Sequence, residues 1–109
     1  IKRNELPIKM VILNNHSLGM IRQFQDSYLE SIYAATVWGY SAPDFVAVAK
    51  AYGIDGEKIE GEDEIINALI RMWKNPATPY LLDVSIDFHT NVYPKMLFGN
   101  PLTKMEPMD

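Results

Sequence analysis

The hydrophobic positions of the chain fall into two kinds of run, and the first kind is short and almost uninterrupted. Residues Ile8 to Leu13 read IKMVIL, and such a run, rich in branched residues, is typical of a strand buried on both faces. Residues Pro79 to Ile86 have the same character, and Glu57 to Glu60 can hold a short strand around Ile59. The pattern therefore predicts three strands.

The second kind of run is periodic and predicts helices. One helix is expected to begin near Ser41, Pro43 and Asp44, which supply a cap candidate, a first-turn proline and an early acid, and to end at Gly53. Its apolar positions follow the i, i+3, i+4, i+7 spacing of a face that packs on a core. The members of this stripe are Phe45, Val48, Ala49 and Tyr52.

Two further segments have helical character. Acidic residues 62–64 suit a helix N-terminus, and Asn75-Pro76 ends the periodic run that follows them. Residues 20–31 are helical but polar and only loosely periodic, and residues 31–40 are irregular and aromatic. The residues expected to form the buried face of the later helix are Ile65, Ile66, Leu69, Ile70 and Trp73.

The elements alternate in the order strand, helix, strand, helix, strand. This βαβαβ order predicts an α/β fold with a parallel sheet and right-handed crossovers. From Asp87 onward the chain shows no clear period and has several prolines. We therefore assign residues 1–94 to the folded portion of a domain and residues 95–109 to a C-terminal tail that needs a surface to lie on.

Composition and charge narrow the class of protein. The chain has 109 residues, of which 48% are hydrophobic and 22% charged, as is ordinary for a globular domain. A net charge of −4 with scattered Lys and Arg argues against nucleic acid, and no apolar run is long enough to span a membrane. The absence of cysteine excludes disulfides, zinc fingers and thiol catalysis, and it fits a reducing compartment such as the cytoplasm.

Because the chain opens on Ile1 without an initiator Met, we expect a longer polypeptide whose N-terminal side holds part of the site.

Asn14-Asn15 is the first candidate for chemistry, because it follows the most apolar strand. Ligands of open parallel sheets bind beyond the carboxyl ends of the strands. An Asn side-chain oxygen and nearby backbone carbonyls are hard donors that suit Mg²⁺, which commonly bridges to phosphates. Two Asn residues can equally end a strand and begin a turn without any ligand. Both interpretations stay open from these residues alone.

Residues 6–25, LPIKMVILNNHSLGMIRQFQ, resemble the segment of acetolactate synthase large subunits that follows their Gly-Asp-Gly motif. The resemblance continues through Pro43-Asp44-Phe45 and residues 49–54 (AKAYGI) to residues 79–84 (PYLLDV), and reaches about Pro94. A bare Asn-Asn is unspecific, but Asn-Asn with Leu-Gly-Met, an Arg-Gln-aromatic-Gln run and Pro-Asp-Phe at the family's spacing is specific. The chain is thus similar to the C-terminal half of a thiamine-diphosphate-binding domain.

The resemblance implies two cofactors, thiamine diphosphate and Mg²⁺. In this superfamily the second Asn coordinates Mg²⁺ through its side chain, the carbonyl two residues later adds a bond, and the metal holds the diphosphate. The residues so implied are Asn15 and Ser17 for the metal, Asn15, Ser17, Leu18, Gly19 and Met20 for the cofactor, and Met20 and Phe24 for the substrate channel.

The resemblance also implies an activity and its partners. It implies decarboxylation of pyruvate and carboligation to a second 2-oxo acid, a step of branched-chain amino acid biosynthesis. The aromatic residues 28–40 and the tail indicate apolar surface that a partner subunit covers, so we expect a homo-oligomer. The family's catalytic Glu comes from a partner subunit, and its Gly-Asp-Gly aspartate belongs upstream of Ile1. No catalytic residue is therefore expected in this chain, which alone should be inactive.

Two other functions stay open. Phe24 stands where acetolactate synthases usually have Trp, and residues 97–103 differ from the biosynthetic enzyme, so another thiamine-diphosphate-dependent decarboxylase or ligase with a different acceptor is possible. A non-catalytic α/β interaction module is the other alternative.

Several residues have simpler interpretations: His16 as a polar turn residue, His89 as a solvent-exposed one, Asp83 and Asp87 in surface or turn roles, and Met20 and Phe24 as core side chains.

Overall fold

The computed structural model describes residues 1–106, so the last three residues of the predicted tail lie outside the described residues. Each predicted strand is present within about two residues of its predicted bounds, which is the usual uncertainty of element ends. The elements are β1 (Lys9–Asn14), α1 (Gly19–Tyr28), α2 (Phe45–Ala51), β2 (Asp55–Ile59), α3 (Ile65–Trp73), β3 (Tyr80–Ser85), β4 (Lys95–Met96) and β5 (Met105–Glu106).

The three longer strands form one parallel sheet in the order β1-β3-β2. Tyr80 of the central strand aligns with Lys9 on one side and with Asp55 on the other. At the opposite end, Asn14 of β1 aligns with Ser85 of β3. The predicted α/β class with a parallel sheet is confirmed. The loop after β1 therefore lies at the carboxyl edge, where such sheets bind ligands.

Two small cores lie on opposite faces of this sheet, because Leu81 and Leu82 are neighbours in β3 and point to opposite sides. Helix α2 packs on the face of Leu81, and helix α3 packs on the face of Leu82. The residues on the α2 face are Met10, Ile12, Phe45, Val46, Ala49, Ile54 and Leu81, and those on the α3 face are Ile59, Ala68, Met72, Tyr80, Leu82 and Val84.

The stripe predicted for α2 is wrong at two positions. Val48 and Tyr52 are exposed, and Val46 packs on the core in their place. The helix begins only at Phe45, because Asp44 is its N-cap and accepts a hydrogen bond from the Ala47 N–H at 2.8 Å. It ends at Ala51, so Tyr52 lies beyond the last turn and does not share the buried face.

Strand β1 is not buried on both faces as predicted. Val11 and Leu13 are 52% and 67% exposed, whereas Met10 and Ile12 pack against the α2 core. The cause is the strand order, since β1 is an edge strand and α3 covers only β2 and β3 on its own face. Val11 and Leu13 form the first part of an uncovered apolar surface.

The buried face predicted for α3 is also wrong. Ala68 and Met72 are the residues buried against the sheet, while the predicted apolar residues stay largely open. A helix that is apolar on most sides is typical of one enclosed by further structure. The exposed members are Ile65, Ile66, Leu69, Ile70 and Trp73, which together with Val11 and Leu13 we call the uncovered α3 face.

The segment after β3 forms regular structure, although its sequence shows no strand or helix period. Lys95–Met96 and Met105–Glu106 pair as two short antiparallel strands, and an ion pair joins Lys95 Nζ to Glu106 Oε2 at 3.2 Å. The division of the chain at residue 94 stays a prediction. Within residues 1–106, no helix has the length and apolar character needed to cross a membrane.

Candidate functional site

The loop between β1 and α1 is held by Asn14, the last residue of the strand. Its side-chain Oδ1 accepts a hydrogen bond from the His16 N–H at 3.0 Å, and its Nδ2 donates to Asp83 Oδ2 at 3.4 Å. His16 has a φ of 53°, a left-handed conformation that few residues other than glycine adopt. The bond from Asn14 fixes the turn that presents Asn15.

Asp83 is not at the surface or in a turn, so that prediction is wrong. It lies within β3, is 4% exposed, and has one oxygen, Oδ1, without a partner among the described residues. Parallel strands with a helix on the face bury alternate side chains, and Asp83 points to the same face as Leu81. The sequence pattern did not predict this burial, because a single acidic residue in an apolar strand is ordinarily assigned to the face that points to solvent. Asp87 is exposed, as predicted.

Asn15, the predicted metal ligand, is half-buried and folds its side chain over the start of α1. Its Oδ1 accepts a hydrogen bond from the Ser17 N–H at 3.2 Å. A Cβ on Gly19 would lie closer than 3.0 Å to the Asn15 Nδ2, so only glycine leaves room for this carboxamide. Because an amide oxygen has two lone pairs, the bond from Ser17 leaves one of them for a cation.

Ser17 and Leu18 complete the loop and lead into the helix. Ser17 is 7% exposed, and its Oγ has no partner among the described residues. The Leu18 N–H donates to the Thr36 carbonyl at 3.0 Å, and Thr36 is itself buried against Gln25. Thr36 is a positioning residue that sequence reasoning missed, since nothing in an irregular segment distinguishes it.

Helix α1 starts at Gly19 with no side-chain cap among the described residues. The first N–H groups of such a helix are left for water or for an anion, and the helix dipole favours negative charge at this end. Hard oxygen donors from Asn15 and Ser17 thus lie directly before a helix N-terminus. This donor set fits a Mg²⁺ ion that carries a diphosphate.

The side chains of the described residues do not form a complete metal site by themselves. No group of three or more His, Cys, Asp or Glu residues that could bind a metal occurs within residues 1–106. His89 is exposed, as predicted. His16, interpreted from sequence as a polar turn residue, is an exposed residue of the bend after β1, and its Nε2 lies 3.3 Å from the Ser85 Oγ. A Mg²⁺ ion here would need oxygens from the cofactor, from water or from another segment.

Met20 and Phe24 lie one turn apart on α1 and line a cleft of about 370 Å³ between this helix and the tail. Met20 is 72% exposed and Phe24 39% exposed, which contradicts the simpler interpretation of both as core residues. The Phe24 ring packs against the rings of Tyr28 and Phe98, whose centroids lie 4.8 Å and 5.8 Å from its own. The structure therefore brings the two predicted channel residues together beside the loop that contains Asn15.

Comparison with protein families gives a match over most of the chain. Residues 1–84 match the family described as "Thiamine pyrophosphate enzyme, C-terminal TPP binding domain". The acetolactate synthase isozyme 2 large subunit of Escherichia coli (strain K12) is 44% identical over 94 residues, covering 86% of this chain and 17% of that protein. The acetolactate synthase large subunit of Parasynechococcus marenigrum (strain WH8102) is 37% identical over 100 residues, covering 92% and 16%.

Solved structures show the same fold. The thiamine diphosphate-dependent 4-hydroxybenzoylformate decarboxylase of Rhodococcus jostii RHA1 aligns with a TM-score of 0.69 at 22% identity, covering 82% of this chain and 16% of that one. At this identity the likeness concerns architecture alone. The chain spans about a sixth of the length of the relatives that it matches.

Proposed function

Since this chain belongs to the thiamine pyrophosphate enzymes, through the family of their C-terminal TPP binding domain, we propose that it forms half of the cofactor site of an acetolactate synthase-like enzyme. The enzyme would decarboxylate pyruvate and join the product to a second 2-oxo acid, in the cytoplasm and for branched-chain amino acid synthesis. The observation that carries this proposal is the room that Gly19 leaves for the Asn15 carboxamide at the carboxyl edge of the sheet.

In this proposal Asn15 and Ser17 are the chain's metal ligands. The Asn15 Oδ1 and the Ser17 carbonyl would hold Mg²⁺, and the first turn of α1 would face the diphosphate. When bound, the cofactor supplies a carbanion-stabilising ring, which is the chemistry that 2-oxo acid decarboxylation needs. The residues of this chain bind and orient that group; none of them is proposed to transfer a proton.

The rest of the enzyme would cover the apolar surface that this chain leaves open. The uncovered α3 face includes Ile66, Ile70 and Trp73, which are 67%, 64% and 57% exposed, and within residues 1–106 the outer edge of β1 pairs with no other strand. Contiguous apolar surface of this kind marks an interaction site. We propose that the preceding segment of a longer polypeptide packs there, and that the intact enzyme is a homo-oligomer.

Phe24 is the position at which the acceptor substrate would be selected. It lines the cleft together with Met20, and Phe is smaller than the Trp usual at this position. This observation favours a second candidate, a thiamine-diphosphate-dependent ligase or decarboxylase that accepts a bulkier partner than acetolactate synthase does.

Phe24→Trp in the intact enzyme is therefore expected to shift product ratios toward the smaller of two competing 2-oxo acid acceptors, by about three- to tenfold, because one added ring narrows the cleft. The measurement is product analysis with the two acceptors present at equal concentration. Unchanged ratios would show that Phe24 does not line the acceptor path.

The test of the proposed function is metal-dependent cofactor binding. We expect calorimetry on the intact enzyme to show thiamine diphosphate binding in Mg²⁺ and a loss of at least about 30-fold in affinity when the metal is removed with a chelator. Equal affinity with and without the metal would overturn the roles of Asn15 and Ser17. No binding in either condition would favour the non-catalytic interaction module.

A further inference from the structure

Arg22 is the most deeply buried charged residue among those described, at 1% exposure. Its position in α1 puts the guanidinium against the segment that follows β3. Nη2 lies within hydrogen-bond distance of three acceptors, the carbonyls of His89 and Thr90 at 3.3 Å and 3.2 Å and the Asn91 Oδ1, which share its two N–H groups. One side chain thus holds three consecutive residues, two of them through backbone oxygens.

Gln23 extends this contact by one residue. Its Nε2 donates to the Val92 carbonyl at 3.1 Å, and its Oε1 accepts from the Val92 N–H at 3.1 Å. Gln23 is also buried, at 7% exposure. We call Arg22 and Gln23 together the α1 latch. They explain why this helix is polar and only loosely periodic, since its inner face binds backbone instead of apolar side chains.

The guanidinium of Arg22 is itself held in place from the helix side. Its Nη1 donates to Asp26 Oδ2 at 2.6 Å, one turn along, and Asp26 also accepts hydrogen bonds from the hydroxyls of Tyr33 and Ser31. The bond from Tyr33 is the main reason that the pKa of Asp26 lies below its ordinary value, and the charge of Arg22 adds to it. Asp26 is therefore ionised near neutral pH and orients the fork of Arg22.

The latch provides the hydrogen bonds that join residues 89–92 to helix α1, and Val92 itself is 53% exposed. Further along, the Phe98 ring packs on Phe24 and Tyr28, and the Phe98 N–H donates to the Tyr28 hydroxyl at 2.9 Å. Val92, the last residue that the latch holds, lines the cleft opposite Met20 and Phe24, and the chain continues along the same wall at Pro94. The position of this wall therefore depends in part on where the latch places Val92.

We propose that Arg22 is a positioning residue for the acceptor cleft, acting through the backbone of residues 89–92 and not by contact with substrate. This inference rests on the proposed function for its effect on catalysis, but the latch itself does not. Arginine suits this position because its planar fork reaches Asp26 through Nη1 and residues 89–91 through Nη2 at the same time, whereas a lysine ammonium is a single point of donation.

The first measurement is hydrogen exchange of the cofactor-free intact enzyme, followed by mass spectrometry of peptides from residues 86–98. Arg22→Met is expected to raise exchange in these peptides at least about tenfold, and Arg22→Lys to restore less than half of the protection. Asn91→Ala, a milder change on the tail side, should give a smaller increase in the same peptides. Arg71→Met is the matched control, because Arg71 lies on α3 and pairs with Glu57 of β2, and it forms no hydrogen bond or ion pair with residues 89–92.

The second measurement is steady-state kinetics with the acceptor varied. Arg22→Met is expected to raise KM for the acceptor about five- to tenfold while kcat changes less than about twofold, since the cleft is misplaced and the cofactor loop is not. Unchanged exchange would overturn the latch, and increased exchange with an unchanged acceptor KM would overturn its role in the cleft. Failure of the proposed function would appear separately, as an enzyme without Mg²⁺-dependent cofactor binding.

Discussion

Asn15→Ala is expected to weaken Mg²⁺-dependent binding of thiamine diphosphate by at least about 100-fold, equivalent to about 2.7 kcal/mol. Its carboxamide is the one side-chain metal ligand that we assign to this chain. Alanine removes the oxygen and also frees the Ser17 N–H that Asn15 now binds at 3.2 Å. The loop would lose both the ligand and the bond that shapes it. Calorimetric titration of the intact enzyme in saturating Mg²⁺ measures the effect.

Two variants control for this result. Asn15→Asp keeps an oxygen in place and should retain binding within about tenfold, because carboxylates are also hard Mg²⁺ ligands. Asn67→Ala removes a carboxamide from the exposed surface of α3 and should leave affinity unchanged. Full affinity in Asn15→Ala would mean that the carboxamide does not reach the metal, and the cofactor assignment of residues 15–20 would fail with it.

Gly19→Ala is expected to impair the same site while leaving the fold intact. Gly19 is the first residue of α1, and alanine is a better helix former than glycine, by up to about 1 kcal/mol in a helix interior. The only obstacle to the new Cβ is the end of the Asn15 side chain, which can rotate away. We expect cofactor affinity in Mg²⁺ to fall about 10- to 100-fold, as for other changes that misorient a metal ligand. The free energy of unfolding should change by less than about 1 kcal/mol.

Gly56→Ala is the matched comparison because its obstacle is of another kind. A Cβ at Gly56 would press on the Leu81 carbonyl, which is part of the β3 backbone and cannot rotate away. This variant should lose stability, whereas Gly19→Ala should lose binding. Denaturant unfolding and calorimetry on both variants separate the two effects. A stability loss in Gly19→Ala as large as that in Gly56→Ala would contradict the view that only Asn15 is displaced.

The polar residues in and beside apolar elements were the hardest to interpret from sequence. Asp83 and Arg22 are 4% and 1% exposed, although periodicity places charged residues on the surface. Their burial depends on partners about 70 positions away along the chain, Asn14 for Asp83 and residues 89–91 for Arg22. Hydrogen bonds over such separations leave no local pattern. Only the folded chain shows that these side chains position a loop and a tail.

The sequence alone was enough to determine the α/β class, the parallel sheet and the place of Asn15 after a strand. The reason is that the spacing of apolar residues, which distinguishes strands from helices, depends only on residues close together along the chain. Which apolar faces are covered was decided only by the tertiary structure. β1 is at the sheet edge and α3 packs through Ala68 and Met72, so Val11, Leu13 and Ile66 stay exposed. Periodicity identifies an apolar face, but whether that face is buried depends on which other element reaches it.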